Sequence, residues 1–182
     1  LKLEGALNRL QLSVEDLCCV DIGQSTGGFT DCLIQNGAKH VLGIDVGRDQ
    51  LHESLRANPK IEYYEGVNAK SLNDHPLLQA KLQNFDLLVC DVSFISLKKV
   101  IPQALPLLND RGQVLMLVKP QFELGPEALG KAGIVKAADV ESHLREDFTR
   151  WARNLGLQPI EFFASKLKGQ DGNQEYFLYG KV

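Results

Sequence analysis

The stretch Val20-Asp21-Ile22-Gly23-Gln24-Ser25-Thr26-Gly27-Gly28-Phe29-Thr30-Asp31 constrains this chain more than any other. Leu17–Ile22 is a short apolar run that gives way to Gly23, the pattern of a buried parallel strand entering a glycine turn. Phe29, Cys32 and Leu33 then recur at helical spacing, and Gly37 follows as a stop. Strand, glycine turn and helix form the arrangement by which an open α/β sheet binds a nucleotide-like ligand at the carboxyl ends of its strands.

The spacing of the glycines narrows the ligand. A dinucleotide turn reads G-x-G-x-x-G, and its second glycine lets backbone approach a pyrophosphate. Ser25 holds that position here, and the later glycines are the pair Gly27-Gly28. Asp21 precedes the turn, where a carboxylate repels pyrophosphate and suits a cation. A cofactor with an ammonium, a sulfonium and a nucleoside but no phosphate fits, which is S-adenosylmethionine. The plainer alternative is a turn that only packs helix on strand. On the cofactor reading, Asp21, Gly23, Ser25, Thr26, Gly27, Gly28 and Phe29 are its expected contacts. Gly27 is expected to leave room for the cofactor's approach.

The rest of the chain repeats the alternation of strand and helix. Leu3, Ala6, Leu7 and Leu10 predict a helix over Leu1–Leu10, with Lys2 on its other face. Strands are predicted at His40–Asp45, Ile61–Glu65, Phe85–Asp91 and Gly112–Lys119. Helices are predicted at Arg48–Ala57, loosely at Ser71–Leu82, at Leu97–Leu108 despite Pro102 and Pro106, and at Ala137–Asn154. Gln121–Val135 reads as a long loop. Two strands close the chain, Leu157–Ala164 and Gln174–Gly180, joined by the polar loop Ser165–Asn173. This order predicts one α/β domain over residues 1–182, a mostly parallel, doubly wound, seven-stranded sheet with one antiparallel strand and helices on both faces.

Three predicted strands end in a charge: Asp45, Asp91 and Lys119. Their carboxyl ends fall along one edge of such a sheet, beside the glycine turn. Asp45 follows the first strand's acid by the interval at which a carboxylate takes the ribose hydroxyls of a nucleoside. Val46 and Asn68 are expected beside it in the cofactor site. Asp91 fits the site or a helix cap equally by position. Lys119 follows six apolar strand residues, where a charge is costly to bury without a purpose.

Bulk properties exclude several classes. A net charge of −3 over 182 residues is not that of a strongly basic nucleic-acid surface, although local basic patches remain open. No apolar run approaches a membrane span, and no signal peptide is expected. Cys18, Cys19, Cys32 and Cys90 form no C-x-x-C pair, which argues against zinc and for buried thiols in a reducing cytosol.

Five segments carry a family resemblance: Leu1–Leu7, Asp21–Asp31, Asp91–Leu97, Val118–Glu123 and Gly172–Glu175. Together they resemble the hemolysin A (TlyA-type) branch of the FtsJ-like ribose 2′-O-methyltransferases. The resemblance runs from Leu1 to Val182. It implies the class I methyltransferase fold, S-adenosylmethionine as methyl donor and ribosomal RNA or ribosomal subunits as substrate, in the cytoplasm. It also implies a Lys-Asp-Lys-Glu catalytic set, which falls on Lys2, Asp91, Lys119 and Glu175, with Asp91 also touching the cofactor. No metal is required by that set. Ser25-Thr26 matches the hemolysin A branch where the wider family has Ala-Pro. Full-length members usually carry an S4-type RNA-binding domain before the equivalent of Leu1, so weak RNA binding is expected of this chain alone. Lys131, Lys136, Lys166 and Lys168 are the expected local RNA contacts. A methyltransferase for a small molecule or protein, and a non-catalytic RNA-binding or hemolysin-type protein, are the alternatives.

Overall fold

The computed structural model describes residues 1–130 and 139–182. Seven strands form one sheet: β1 (Cys18–Ile22), β2 (His40–Ile44), β3 (Ile61–Tyr64), β4 (Phe85–Cys90), β5 (Leu108–Val118), β6 (Gln158–Ala164) and β7 (Tyr176–Lys181). Their order is β3-β2-β1-β4-β5-β7-β6. All neighbours among β1–β5 are parallel, and β7 runs antiparallel to both β5 and β6. The expected sheet is therefore present, with β7 as its antiparallel strand.

Each central strand buries both faces, so its residues divide by parity between two cores. Val20, Ile22, Leu88, Cys90, Val114 and Met116 face the helices α5 (Leu97–Ala104) and α7 (Val140–Asn154), which bring Val100, Ile101, Leu144 and Phe148. Cys19, Leu87, Val89, Leu115 and Leu117 face α1 (Lys2–Leu10) and α2 (Gly28–Gln35), which bring Leu3, Leu7 and Leu33. The chain leaves β1 toward one face and β4 toward the other. The strand order reverses between them, and that reversal opens a crevice above their carboxyl ends.

Several elements differ from expectation. The helix expected over 48–57 is only α3 (Glu53–Arg56). Asp49 has φ +56, outside helical space, and the His52 ring accepts the Ser54 N–H as a late cap. Over 71–82 the chain makes a 3₁₀ segment, Ala69–Asp74, kinked at Ser71, and then α4 (Pro76–Gln79). α5 ends at Ala104 and passes into a 3₁₀ turn, Leu105–Leu107, where Pro106 replaces a helical donor. β5 begins at Leu108 rather than Gly112. The loop expected from Gln121 instead starts as a short helix, α6 (Pro120–Glu123), with Pro120 at its first position. Residues 131–138, including the expected start of the last helix and Lys131 and Lys136, lie outside the described residues. Among the described residues, no helix is long and apolar enough to cross a membrane.

Candidate active site

The crevice is a cleft of about 480 Å³, a volume suited to a nucleoside-sized ligand. Of the expected cofactor residues, Gly23, Ser25, Asp45, Val46, Asn68 and Asp91 line it. Asp21, Thr26, Gly27, Gly28 and Phe29 do not.

The reasons are local. Gly23 has φ +79, and a Cβ there would lie 2.1 Å from the carbonyl oxygen of Asp91. Only glycine lets the β1 and β4 ends approach so closely. Gly27 is left-handed too, at φ +102, but its missing Cβ faces Leu55 Cδ1 at 2.4 Å and Leu51 Cδ1 at 2.7 Å. The absent side chain makes room for Leu51 and Leu55 to pack against the turn. Phe29 packs inward, its ring 6.5 Å from Phe177. Thr26 is exposed, and its carbonyl accepts the His52 N–H.

Asp21 is wholly buried beneath α2. Gln24 Nε2 donates to Thr30 Oγ1 at 2.9 Å, and Thr30 Oγ1 donates to Asp21 Oδ2 at 2.8 Å. The other carboxyl oxygen, Oδ1, has no hydrogen-bond partner among the described residues. Burial pushes this carboxyl up to about 7, with the Asp91 and Asp45 charges adding to the rise and the Thr30 bonds opposing it. Asp21 is thus a core residue whose carboxyl is held further toward its neutral form than that of an exposed aspartate.

Asp45 stands where expected. Its Oδ2 accepts the Ser25 N–H at 2.5 Å and its Oδ1 accepts the Gly47 N–H at 2.7 Å. The carboxylate therefore shapes the glycine turn and keeps lone pairs for a ligand's hydroxyls. Asn68 uses its side-chain oxygen to cap the 3₁₀ segment through the Lys70 N–H at 2.9 Å.

The four residues of the expected catalytic set gather at the same sheet edge as two ion pairs. Lys119 Nζ lies 2.5 Å from Asp91 Oδ1 and donates to Ser93 Oγ at 3.0 Å. Lys2 Nζ lies 2.7 Å from Glu175 Oε1. The sheet register explains the meeting. Val118 pairs with Tyr176 across β5 and β7, so Lys119 and Glu175 follow side by side. Parallel pairing of Cys90 with Met116 brings the end of β4 alongside. Glu175 is 2% exposed, and Lys2 at the start of α1 is its counter-ion.

Sequence reasoning missed several neighbours. Ser93 and Phe94 line the cleft, and Phe94 stands 90% exposed on its rim with φ +63. Their signal was their place in the Asp91–Leu97 segment. Asp171, in the loop between β6 and β7, accepts from Gln121 Nε2 at 3.0 Å. Burial alone would raise its carboxyl. Hydrogen bonds from the Asn173 backbone and side chain, with the nearby Lys119 ammonium, outweigh that and hold it below its ordinary value. Lys166 and Lys168 are exposed on the same loop.

Comparison with known proteins identifies the family. The family model for FtsJ-like methyltransferases matches residues 1–182. This chain belongs to that family. It is 39% identical over 178 residues to the 16S/23S rRNA (cytidine-2′-O)-methyltransferase TlyA of Mycobacterium tuberculosis, covering 98% of this chain and 65% of that protein. It is 36% identical to the 23S rRNA (cytidine-2′-O)-methyltransferase TlyA of Campylobacter jejuni, covering 98% of this chain and 68% of that one. A solved structure from Streptococcus thermophilus that carries a hemolysin name superposes with a TM-score of 0.89 at 40% identity, over 99% of this chain and 64% of its own. The chain thus spans about two thirds of the length of these FtsJ-like relatives. Solved S-adenosylmethionine-dependent methyltransferases at 15% and 13% identity share the fold, with TM-scores of 0.67 and 0.70.

Proposed function

We propose that this chain is a catalytic domain that transfers a methyl group from S-adenosylmethionine to a ribose 2′-hydroxyl of ribosomal RNA. The observation that carries the reading is the pair of ion pairs, Lys119–Asp91 and Lys2–Glu175, beside a nucleoside-sized cleft. The names of the relatives support the substrate class. Ribosomes work in the cytoplasm, and the reaction belongs there.

The cleft's own residues suit the cofactor. Asp45 would take the ribose hydroxyls. Val46, Asn68 and Ala69 would flank the base, and Gly23 and Ser25 would present backbone to the amino-acid end. Bound, the cofactor supplies a methyl group on a positively charged sulfur.

The chain's residues supply the rest. A ribose hydroxyl is a poor acid, and most of the rate comes from holding its oxygen in line with the methyl carbon. Lys119 holds that oxygen and, in its amine form, takes the proton as the oxygen–carbon bond forms. The cofactor's sulfur would leave with the electrons of the carbon–sulfur bond. Asp91 and Ser93 fix where the Lys119 Nζ sits. Lys2, held by Glu175, places a second positive charge at the site.

The test is transfer of labelled methyl by purified protein to small and large ribosomal subunits and to naked ribosomal RNA. Ribose methylation leaves the adjoining phosphodiester resistant to alkali. Alkali-resistant labelled dinucleotides are the expected product. Label on the bases, or none on any RNA, overturns the reading.

A further inference from the structure

We propose that α6 is a brace for the catalytic lysine, with Glu123 and Gln121 as positioning residues that tie Lys119 to both acid-bearing loops. The proposal rests on the reading of Lys119 as catalytic and goes beyond it. β5 ends at Val118, Lys119 caps α6, and the helix is one turn long. A lysine side chain is long and flexible, so its nitrogen keeps to the Asp91–Ser93 seat only while the Lys119 backbone and the Asp91 loop are held in register.

Three consecutive side chains of α6 reach two other loops. Gln121 Nε2 donates to Asp171 Oδ2 at 3.0 Å, on the loop that leads to Glu175. The Phe122 ring lies 5.0 Å from that of Phe94, on the loop that follows Asp91. Glu123 spans the start of α5: Oε2 accepts from Ser96 Oγ at 2.6 Å, and Oε1 accepts the Leu97 N–H at 2.8 Å.

The Glu123 contacts are the strongest of these by physical argument. Leu97 is 1% exposed, so water cannot replace an acceptor for its N–H. Ser96 already caps α5 by accepting the Lys98 N–H at 3.1 Å. Ser96 satisfies the helix's ordinary need for a cap. A second acceptor from 26 residues away adds a link between the Asp91 loop and the Lys119 turn. A charged acceptor makes that link short and stiff. Gln121 makes the corresponding link to the Glu175 side. The Lys119–Asp91 distance is then set from both flanks.

The test uses the whole chain with Glu123→Ala, Glu123→Gln and Gln121→Ala. Three measurements are made on each: the NMR signal of the Lys119 ε-methylene in lysine-labelled protein, assigned through Lys119→Arg; S-adenosylhomocysteine affinity; and single-turnover methyl transfer at saturating cofactor and RNA. In Glu123→Ala the Lys119 signal is expected to move, and transfer to fall by up to about 100-fold, the scale for a misplaced reacting group. Cofactor affinity stays near wild type, because Glu123 does not line the cleft. Glu123→Gln keeps an acceptor for Leu97 and recovers most of both signals. Gln121→Ala gives a smaller loss in the same direction, and carries the test if Glu123→Ala does not fold. A melting-temperature loss with unchanged transfer per folded molecule overturns the brace. So does lost transfer with an unmoved Lys119 signal. If wild type itself transfers no methyl to RNA, the functional reading falls, and the Lys119 signal alone decides the brace.

Discussion

Lys2 Nζ meets Glu175 Oε1 at 2.7 Å, joining the first helix to the start of the last strand across 173 positions of sequence. Glu175 is buried and Lys2 is partly exposed, so removing the lysine strands a charge. Breaking a buried pair from one side costs about 3–5 kcal/mol, and the partial exposure of Lys2 places this one at the lower end. Lys2→Ala should therefore lower stability in a denaturant titration and also lower methyl transfer. The double variant Lys2→Met/Glu175→Gln should regain most of the stability but not the transfer. Recovery of both would make the pair a structural strut only.

Lys119→Ala should reduce single-turnover methyl transfer by about a hundredfold to ten-thousandfold, the usual cost of a lost proton acceptor. S-adenosylhomocysteine affinity, measured by calorimetry, should hold nearly constant, because the loss belongs to the transition state. Lys119→Arg should fail almost as badly, since a guanidinium does not give up its proton and its fork does not fit the Asp91–Ser93 seat. Retention of more than about a tenth of the wild-type rate is below that range and would remove Lys119 from the reaction.

Asp45→Ala should weaken cofactor binding by about 1.5–3 kcal/mol, the range for hydrogen bonds to a charged group. Asp45→Asn should lose less, because the amide oxygen still accepts one of the two backbone N–H groups from Ser25 and Gly47. Equal losses in the two variants would mean that the charge, rather than the loop shape, holds the ligand.

Asp21 predicts a pH dependence of stability. Its carboxyl is raised to about 7 in the folded chain from an ordinary value of 3.8, so folding favours the neutral form. The stability it contributes is complete below about pH 4, declines as pH rises toward 7, and is level above that. Asp21→Asn should remove this decline. Chemical denaturation of both proteins at several pH values gives the difference. A wild-type-minus-variant curve that is flat between those limits contradicts the raised carboxyl.

Much of the architecture was legible because short-range rules govern it. Apolar runs of strand length, each followed by a turn signal, located all seven strands. Their alternation with helices gave the sheet type. Motif resemblance picked Lys2, Asp91, Lys119 and Glu175, and strand-end position gave Asp45. The sequence by itself thus determined which elements form and which charges end at the sheet's edge.

Tertiary structure alone decided what those groups touch. Strand register places Lys119 beside Glu175 and draws the end of β4 alongside; no local pattern encodes a pairing between residues 119 and 175. Asp21 and Gly27 are both expected as ligand contacts because one precedes the glycine turn and the other lies in it. Asp21 nevertheless folds under α2 onto Thr30, and Gly27 clears Leu51 and Leu55. The helix expected over 48–57 shrank for a related reason: Asp45, Val46 and Gln50 line the cleft, and Asp49 turns the chain left-handed behind them. Local sequence sets periodicity and turn preference over a few residues. The environment of a side chain depends on segments 20 to 173 positions away, and only the packed sheet brings those together.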